Sequence, residues 1–290
     1  MSQSTHANTA VLPKAFVIGW PIAHSKSPTI HTHWLKQNGL SGSYEKIAVE
    51  PCNLERFVGS LKDNGFVGGN VTIPHKEAIL SFVDVVHTNA KRLRAANTVW
   101  FEGGKLHADT TDGYGFLSNL DQHQPNWDQS SDGKALVLGA GGASRPIING
   151  LIERGFKTIT LVNRTKERAE SLVETLRDLG IGSSMVVGDW QDRSELLAEC
   201  SLLVNTSSLG MVGQPPLDLS LDALPSSALV TDIVYTPLET NLLRDAKARG
   251  NVTVDGLGML LHQAVPGFEH WFGVRPAVTD ELRQLVLSTT

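Results

Sequence analysis

The chain has 290 residues, of which 41% are hydrophobic and 19% are charged, so it can bury a core and lacks the composition of a disordered protein. Its formal net charge of -5, without any Lys/Arg block, argues against nucleic acid or an anionic membrane as a partner. The two cysteines are far apart in the sequence, segment 1–10 is polar, and no apolar run is long enough to span a membrane. We therefore expect a cytoplasmic protein without a disulfide scaffold, a signal peptide or a membrane span.

Strand-like and helix-like segments alternate in the first half of the chain. Predicted strands cover residues 15–19, 44–49 and 66–73 (interrupted by Gly68 and Gly69), and residues 97–101 and 106–108 form a predicted hairpin. Predicted helices cover about 29–38, the segment LERFVGSLK with Asn53 as its N-cap, and a segment that opens at 74–76. This alternation predicts α/β layers.

A polar, turn-rich stretch at 121–133 predicts an exposed connection, and beyond it the pattern becomes more regular. Predicted strands cover 134–138, 157–162, 185–187, 202–204, 229–234 and 252–254, and predicted helices cover about 145–154 and 165–179. The final segment, about 259–286, is helical by pattern and has no strand partner. We therefore expect a parallel sheet in the second half of the chain.

A glycine turn in the sequence LGAGGASR follows the predicted strand 134–138. In a dinucleotide-binding fold, Gly139 and Gly141 permit the tight turn and let the backbone approach the pyrophosphate, and the next helix supplies N–H groups. Ser144 stands where a third Gly or Ala is usual, but it is small enough for close packing. Any tight strand-to-helix turn needs glycine, so the flanking strand and helix are what favour a nucleotide site.

The end of the next strand predicts which nucleotide binds. An NAD site usually places an acidic residue there to hold the ribose 2′-OH, whereas this chain has Asn163-Arg164-Thr165, followed by Arg168. A guanidinium and short polar donors suit a 2′-phosphate, so we expect NADP. The structural alternative is a plain strand end with Thr165 as helix N-cap, and both interpretations can hold together.

Polar residues in the first half stand where a small ligand can bind. Asn70 and Thr72 share one face of a strand, Lys76 falls at the head of the next helix, Asn97 opens a strand and Asp112 stands at a helix start. Such residues converge at the carboxyl ends of strands in open α/β sheets. Singly, each also has a structural explanation, since Asp112 is a good N-cap, Lys76 a typical solvated lysine and Asn70 a turn former.

Two further features concern anion and metal binding. Ser25 and Ser27 lie on the loop after the first strand, where two hydroxyls can bind a carboxylate or cap the helix near Pro28. The ten histidines show no H-E-x-x-H or comparable spacing, and His31 and His33 point in different directions on a helix. We therefore expect no metal site.

Taken together, these segments resemble the shikimate dehydrogenase family. The matching stretches are HSKSP, GGNVTIPHKE, AANTV, TDGYG, LGAGGASR, NRTKERA, NTSSLGM, DIVYTPLET and DGLGMLLHQA. They span nearly the whole chain after the N-terminal tail, and their order is highly specific. The chain departs from the family pattern at Thr110 and Thr236, and NTSSLGM lacks the proline often seen there.

The resemblance implies a fold of two α/β domains. An N-terminal substrate domain would be joined by a Rossmann-type dinucleotide-binding domain, with the C-terminal helices packing back on the first domain. The implied boundaries are 1–111 and 256–290 for the substrate-binding and catalytic domain, and 112–255 for the NADP-binding domain. A monomer and a homodimer are both compatible with this arrangement.

The resemblance also implies which residues act. Lys76 and Asp112 would be the catalytic pair, with Lys76 as proton donor to the developing alkoxide and Asp112 orienting Lys76 and a ring hydroxyl. The implied substrate-binding residues are Ser25 and Ser27 on the carboxylate, with Asn70, Thr72, Asn97, Tyr235 and Gln263. The implied cofactor-binding residues are Gly139, Ala140, Gly141, Gly142, Ala143, Asn163, Arg164, Thr165, Arg168, Thr206, Met211 and Gly256.

The implied reaction is the NADP-dependent, reversible reduction of 3-dehydroshikimate to shikimate, a step of chorismate and aromatic amino-acid biosynthesis. Two alternatives remain: an NAD-preferring quinate/shikimate dehydrogenase on the same scaffold, and a non-catalytic NADP-binding regulatory protein. The lack of an acidic residue at 163–165 argues against the first alternative. The presence of both Lys76 and Asp112 argues against the second.

Overall fold

The computed structural model describes residues 12–129, 133–181 and 185–289; the polar segment 1–10 and the residues 130–132 of the expected connection lie outside the described residues. The strands are β1 (Lys14–Gly19), β2 (Ser43–Ala48), β3 (Phe66–Val71), β4 (Val85–Val86), β5 (Thr98–Glu102), β6 (Lys105–Asp109), β7 (Lys134–Leu138), β8 (Thr158–Val162), β9 (Met185–Val187), β10 (Leu202–Asn205), β11 (Leu229–Asp232) and β12 (Thr253–Val254). The helices are α1 (Ser27–Gln37), α2 (Leu54–Gly59), α3 (Thr88–Leu93), α4 (Asp112–His123), α5 (Ser144–Glu153), α6 (Lys166–Asp178), α7 (Asn241–Ala248), α8 (Leu257–His262), α9 (Ala264–Phe272) and α10 (Asp280–Ser288).

The chain divides into two compact units. The first unit comprises Met1–Asp109 and Pro266–Ala277, and the second comprises Thr110–Val265 and Val278–Thr290. That the chain consists of a substrate-binding domain and a cofactor-binding domain stays a prediction.

The first unit is built on a six-stranded mixed sheet in the order β2-β1-β3-β5-β6-β4. β1 pairs in parallel with β2 and β3, whereas β5 pairs antiparallel with β3 and with β6, which confirms the expected hairpin. Side chains of β1 are buried on both faces of the sheet: Phe16 and Ile18 enter one apolar cluster, and Ala15 and Val17 enter another. A strand covered on both faces reads as a continuous apolar run, as β1 does.

Gly68 and Gly69 do not break β3, contrary to the expectation from sequence. Both residues pair within the sheet, where they lie opposite Trp100 and Val99 of β5. A Cβ at Gly69 would overlap the ring of Phe16, and a Cβ at Gly68 would overlap a backbone oxygen of β5. The two glycines therefore serve close packing within the sheet.

The second unit has a six-stranded sheet in the order β12-β11-β10-β7-β8-β9, and every pairing in it is parallel. With β7 as its first strand, this is the doubly wound order of the Rossmann fold, which reverses direction between β7 and β10. The fold class expected from the sequence is confirmed. The glycine turn after β7 and the end of β10 therefore lie at the edge where such sheets bind ligands.

The three C-terminal helices belong to different units. Residues 266–277, which include most of α9, pack in the first unit, where the Trp271 indole N–H donates to Val99 O at 2.9 Å. α8 and α10 belong to the second unit, where Arg283 of α10 forms an ion pair with Asp255 just before α8. The segment that packs back on the first unit is thus α9.

Two local expectations were wrong, and one was confirmed in part. The segment opening at 74–76 is a turn followed by a 3₁₀ helix over Ala78–Phe82, since the buried His75 ring is held by Val49 O at 2.7 Å. Asn53 stands at the N-cap of α2 as expected, but its side chain makes no capping bond and instead accepts a bond from Arg56 at 2.9 Å. The connection 121–133 is not exposed throughout, because α4 runs into it and Trp127 is buried. None of the helices in the described ranges is long and apolar enough to cross a membrane.

Candidate active site

The two serines of the HSKSP loop stand at the start of α1. Ser27 is the first residue of that helix and is buried, and its N–H donates to Ser25 Oγ at 3.4 Å. The first turn of a helix has N–H groups without intrahelical partners and carries the positive end of the helix dipole. The N-cap of α1 is Lys26, and no side chain makes a capping bond there, so the structure does not support a capping role for the serines. Binding of a carboxylate at this helix N-terminus stays a prediction.

Asn70 lies near the carboxyl end of β3, and its side chain is buried and hydrogen-bonded. Its Oδ1 accepts from the Tyr44 hydroxyl at 2.6 Å, and its Nδ2 donates to Asn97 O at 3.1 Å and to Thr98 Oγ1 at 3.3 Å. Thr98 Oγ1 in turn donates to Asn97 Oδ1 at 3.0 Å. The structure therefore brings the predicted residues Asn70 and Asn97 together in one buried network.

Thr72 and Lys76 lie on the turn that follows β3. The Thr72 N–H donates to Ile18 O at 2.9 Å, and glycine is needed at position 19 because a Cβ there would lie 2.6 Å from Thr72 Cγ2. Lys76 is half-buried, and its carbonyl accepts from Ala96 N at 2.8 Å. The backbone that carries Lys76 is thus attached directly to the segment leading into Asn97.

In the second unit, Asp112 and Gln263 lie on neighbouring helices. Asp112 is the first residue of α4, and the Thr111 hydroxyl before it donates to Gln263 O at the end of α8 at 2.7 Å. α4 and α8 pack closely because Gly115 has no side chain, and a Cβ there would lie 2.6 Å from Gln263 Cβ. Gly115, the second glycine of TDGYG, therefore lets the backbone of Asp112 lie near that of Gln263.

The glycine turn after β7 fits a dinucleotide. Gly139 has φ +105°, a conformation that glycine adopts without strain. Among the described residues, nothing lies within 4 Å of a Cβ built on Gly141 or Gly142. Their missing side chains are thus not explained by packing within the chain, and they leave room for a pyrophosphate in front of the N-terminus of α5.

The end of β8 supports this turn and presents positive charge. Asn163 Oδ1 accepts from Ala140 N at 3.1 Å, and its Nδ2 donates to Thr165 O at 2.8 Å, so one amide joins the two loops. Arg164 and Arg168 are exposed, and neither forms an ion pair with any residue that the structure describes. Thr165 stands at the N-cap of α6 as expected, but its side chain makes no capping bond.

Three other residues predicted to bind the cofactor have different surroundings. The Thr206 hydroxyl lies 2.9 Å from both Leu138 O and Gly139 O, which share its single proton, so it holds the backbone of the glycine turn in place. Gly256 packs against the backbone of Ile233, where a Cβ would overlap a carbonyl oxygen. Met211 is 37% exposed, so its side chain is available to a ligand.

Sequence reasoning missed a buried carboxylate at the end of β11. Asp232 accepts from Asn205 Nδ2 at 2.9 Å, from Val234 N at 3.0 Å and from the Thr240 hydroxyl at 2.8 Å. Burial raises the pKa of Asp232 to about 6, and these hydrogen bonds partly oppose that rise. The signal was a lone acidic residue at the end of an apolar strand, inside the quoted motif DIVYTPLET.

Tyr235 follows three residues later, and burial raises the pKa of its hydroxyl. The hydroxyl therefore stays protonated near neutral pH and can donate a hydrogen bond. Val212 N donates to Thr236 O at 2.9 Å, so the loop that carries Tyr235 is attached to the loop that carries Met211. The predicted substrate and cofactor loops of the second unit are thus connected.

Histidines do not form a metal centre in the part of the chain that the structure describes, where no group of three or more His, Cys, Asp or Glu side chains could hold an ion. His31 is fully buried and stacks on Tyr44 with 4.1 Å between ring centroids. Burial lowers the pKa of His31 to about 3. It is therefore neutral at physiological pH and acts as an aromatic core residue.

Comparison with known proteins gives a consistent assignment. Family models match at residues 17–99 (shikimate dehydrogenase substrate binding domain), 121–208 (shikimate / quinate 5-dehydrogenase) and 256–287 (shikimate 5′-dehydrogenase C-terminal domain). A curated shikimate dehydrogenase (NADP(+)) from Methylocella silvestris is 53% identical over 277 residues, covering 96% of this chain and 96% of that protein. The chain belongs to the shikimate dehydrogenase family.

Solved structures related to this shikimate dehydrogenase fold bind different ligands. A shikimate 5-dehydrogenase from Thermus thermophilus, in complex with NADP(H) and shikimate, is 33% identical with a TM-score of 0.80, covering 96% of this chain and 100% of that one. A quinate dehydrogenase from Corynebacterium glutamicum, in complex with NAD, is 27% identical with a TM-score of 0.86, covering 96% and 99%. Specificity within the shikimate dehydrogenase fold must therefore be argued from side chains.

Proposed function

We propose that this chain catalyses the reversible, NADP-dependent reduction of 3-dehydroshikimate to shikimate. The observation that carries the proposal is the set of polar side chains at the carboxyl ends of β1 and β3. There, two serines at a helix N-terminus, two hydrogen-bonded asparagines and a half-buried lysine lie within one compact unit of a family member. An anion site, hydroxyl ligands and a proton donor are what a small hydroxylated acid requires.

Substrate recognition divides by chemistry. Ser25 and Ser27 donate to the carboxylate, and the N-terminal N–H groups of α1 favour the same negative charge. The remaining ligands serve the ring hydroxyls and carbonyl, and they are Asn70, Thr72, Asn97, Asp112, Tyr235 and Gln263. Each side chain offers a donor or an acceptor, so the set discriminates by the number and placement of hydroxyls.

The residues around the glycine turn fit NADP. The backbone at 139–143 and the start of α5 receive the pyrophosphate, and Asn163, Arg164, Thr165 and Arg168 receive the 2′-phosphate. Thr206 supports the turn from below, while Met211 and Gly256 complete the cofactor set. When bound, the nicotinamide supplies the hydride of the reaction.

Lys76 supplies the proton. Its ammonium group stabilises negative charge on the substrate oxygen as the carbonyl is reduced, and it donates a proton to that oxygen as a general acid. In the oxidative direction, the neutral amine accepts the proton from the hydroxyl. Asp112 has no proton to give when ionised, so its role is to accept hydrogen bonds from a ring hydroxyl and from the lysine.

An NAD-preferring quinate dehydrogenase is the nearest alternative, because a solved enzyme of that kind shares the backbone. The exposed Arg164 and the lack of an acidic residue at 163–165 favour NADP, and serines at both 25 and 27 favour shikimate. The test is a turnover assay of shikimate and quinate, each with NADP⁺ and NAD⁺, followed by absorbance of the reduced cofactor. Rates confined to shikimate with NADP⁺ support the proposal. Equal rates with quinate or NAD⁺ contradict the specificity, and silence in all combinations contradicts the activity.

The cellular setting is also proposed. We place the enzyme in the cytoplasm, because Cys52 and Cys200 are free thiols and Cys52 is exposed, as suits a reducing compartment. We propose a monomer or a homodimer. Size-exclusion chromatography with light scattering tests the assembly, and a larger species would contradict it.

A further inference from the structure

Tyr44 belongs to an aromatic cluster of the first unit and brings a hydroxyl group into it. It is 7% exposed, stacks on the His31 ring and lies 5.8 Å from Trp271 between ring centroids. This packing fixes the direction of the phenol, because an aromatic ring held between two others has few alternative rotamers. A buried hydroxyl in such surroundings requires a partner.

The partner is Asn70, whose Oδ1 accepts from the Tyr44 hydroxyl at 2.6 Å. The two N–H groups of the same amide are directed at Asn97 O and Thr98 Oγ1. These three bonds determine which way the amide faces, since a flipped amide would set its NH₂ against the phenol and its oxygen against a carbonyl. Asn70 then offers a ligand one remaining lone pair on Oδ1, which is an acceptor for a hydroxyl.

The network continues into a second predicted substrate ligand. Thr98 Oγ1 accepts from Asn70 and donates to Asn97 Oδ1 at 3.0 Å, which leaves the Asn97 amide oriented with its oxygen towards Thr98. Thr98 is fully buried and Asn97 is 3% exposed. The orientation of both asparagine amides thus depends on a chain of bonds that begins at the Tyr44 hydroxyl.

The Tyr44 hydroxyl keeps its proton near neutral pH. Burial raises the pKa of Tyr44 well above its usual value, and the Ser27 side chain opposes this only as a weaker effect. The hydroxyl therefore donates to Asn70 under the conditions of an activity assay near neutral pH. Ser27 lies near the same phenol, so the proposed carboxylate site adjoins this network.

We propose that Tyr44 is a positioning residue for substrate binding: its hydroxyl fixes the Asn70 amide, and through Thr98 the Asn97 amide, in the orientation that receives the substrate's ring hydroxyls. The inference rests on the proposed function. It assigns to a residue without direct substrate contact the preorganisation of two substrate ligands.

The test compares Tyr44→Phe with the wild-type enzyme. The variant keeps the ring and its stacking but leaves Asn70 Oδ1 without its donor, so only the two Nδ2 bonds hold the amide and its orientation is fixed less firmly. We expect KM for shikimate to rise about tenfold, as loss of one buried hydrogen bond implies, with KM for NADP⁺ changed less than about twofold. The matched control is Phe268→Leu, which disturbs the same cluster next to His31 without removing a hydrogen bond. It should lower the melting temperature and leave both KM values within about twofold.

Thr98→Val interrupts the same chain of bonds from its other end and serves if Tyr44→Phe does not fold. The KM rise in the double variant should be smaller than the product of the single effects, because both changes break one network. Independent, multiplicative effects would overturn the proposal, as would an unchanged KM for shikimate or an equal rise for NADP⁺. A wild-type enzyme inactive on shikimate would instead refute the proposed function, and this inference with it.

Discussion

Replacing Asp232 by asparagine is expected to stabilise the protein at neutral pH and to have little effect in acid. Asp232 is fully buried, and burial raises its pKa from 3.8 to about 6 in the folded state. Because the carboxyl ionises more readily in the unfolded chain than in the folded protein, the free energy of unfolding falls as pH rises from about 4 to about 6. At about 1.4 kcal/mol per tenfold change in ionisation, the ionised carboxylate reduces the free energy of unfolding by about 3 kcal/mol.

Asparagine retains most of the local hydrogen bonds. Its Oδ1 can accept from Asn205 Nδ2 and Val234 N as the carboxylate does, and its Nδ2 can donate to the Thr240 oxygen. The assay measures the free energy of unfolding in urea for both proteins at about pH 5 and about pH 7.5. The quantity compared is the change in that free energy between the two pH values. The free energy of unfolding should fall by about 1.4 kcal/mol more in the wild type than in the variant, because all other groups titrate alike in both proteins. Equal pH dependence in the two proteins would refute the reasoning about burial.

Three other substitutions test the site and its framework. Lys76→Ala should lower kcat about 10²- to 10⁴-fold with little change in KM for shikimate, and a wild-type kcat would contradict its role as proton donor. Arg164→Ala should reduce the preference for NADP⁺ over NAD⁺ in kcat/KM about 10- to 100-fold, whereas equal losses with both cofactors would contradict a 2′-phosphate contact. Gly115→Ala should lower the free energy of unfolding by about 1–2 kcal/mol, because the added Cβ would lie 2.6 Å from Gln263 Cβ. Its control, Gly59→Ala, places a Cβ with no described atom within 4 Å and should be neutral or slightly stabilising.

Much of the second unit could be predicted from the sequence. Strands covered on both faces read as short apolar runs, as in KALVL of β7 and LLVN of β10. Glycines and polar residues ended these runs clearly, so the strands, the glycine turn and the start of α4 at Asp112 were placed to within a few residues. The parallel order then follows from alternation with helices and the right-handed crossover.

The first unit was harder because its determinants are not local. The turn at 74–76 had the composition of a helix start, but the buried His75 ring, held by Val49 O, sets another backbone path. The second unit has one comparable case, since Trp127 lies in a stretch predicted to be exposed but packs against Phe156 with 5.7 Å between ring centroids. Tyr44 and Asn70 are 26 residues apart, so no periodicity reveals their hydrogen bond.

Both units bury a polar network at the carboxyl end of a parallel strand, with Asn70 on β3 and Asp232 on β11. A fully satisfied buried network holds its loops in one arrangement, while each polar group in it opposes folding through lost hydration. Asp232 orders the loop of NTSSLGM through Asn205, whose Oδ1 accepts from Ser207 N at 3.1 Å. If that order serves cofactor binding, Asp232→Asn should be more stable at neutral pH and yet show a higher KM for NADP⁺, because a neutral amide holds Asn205 less firmly. A variant improved in stability with unchanged KM for NADP⁺ would mean that the carboxylate is not needed to position the cofactor loop.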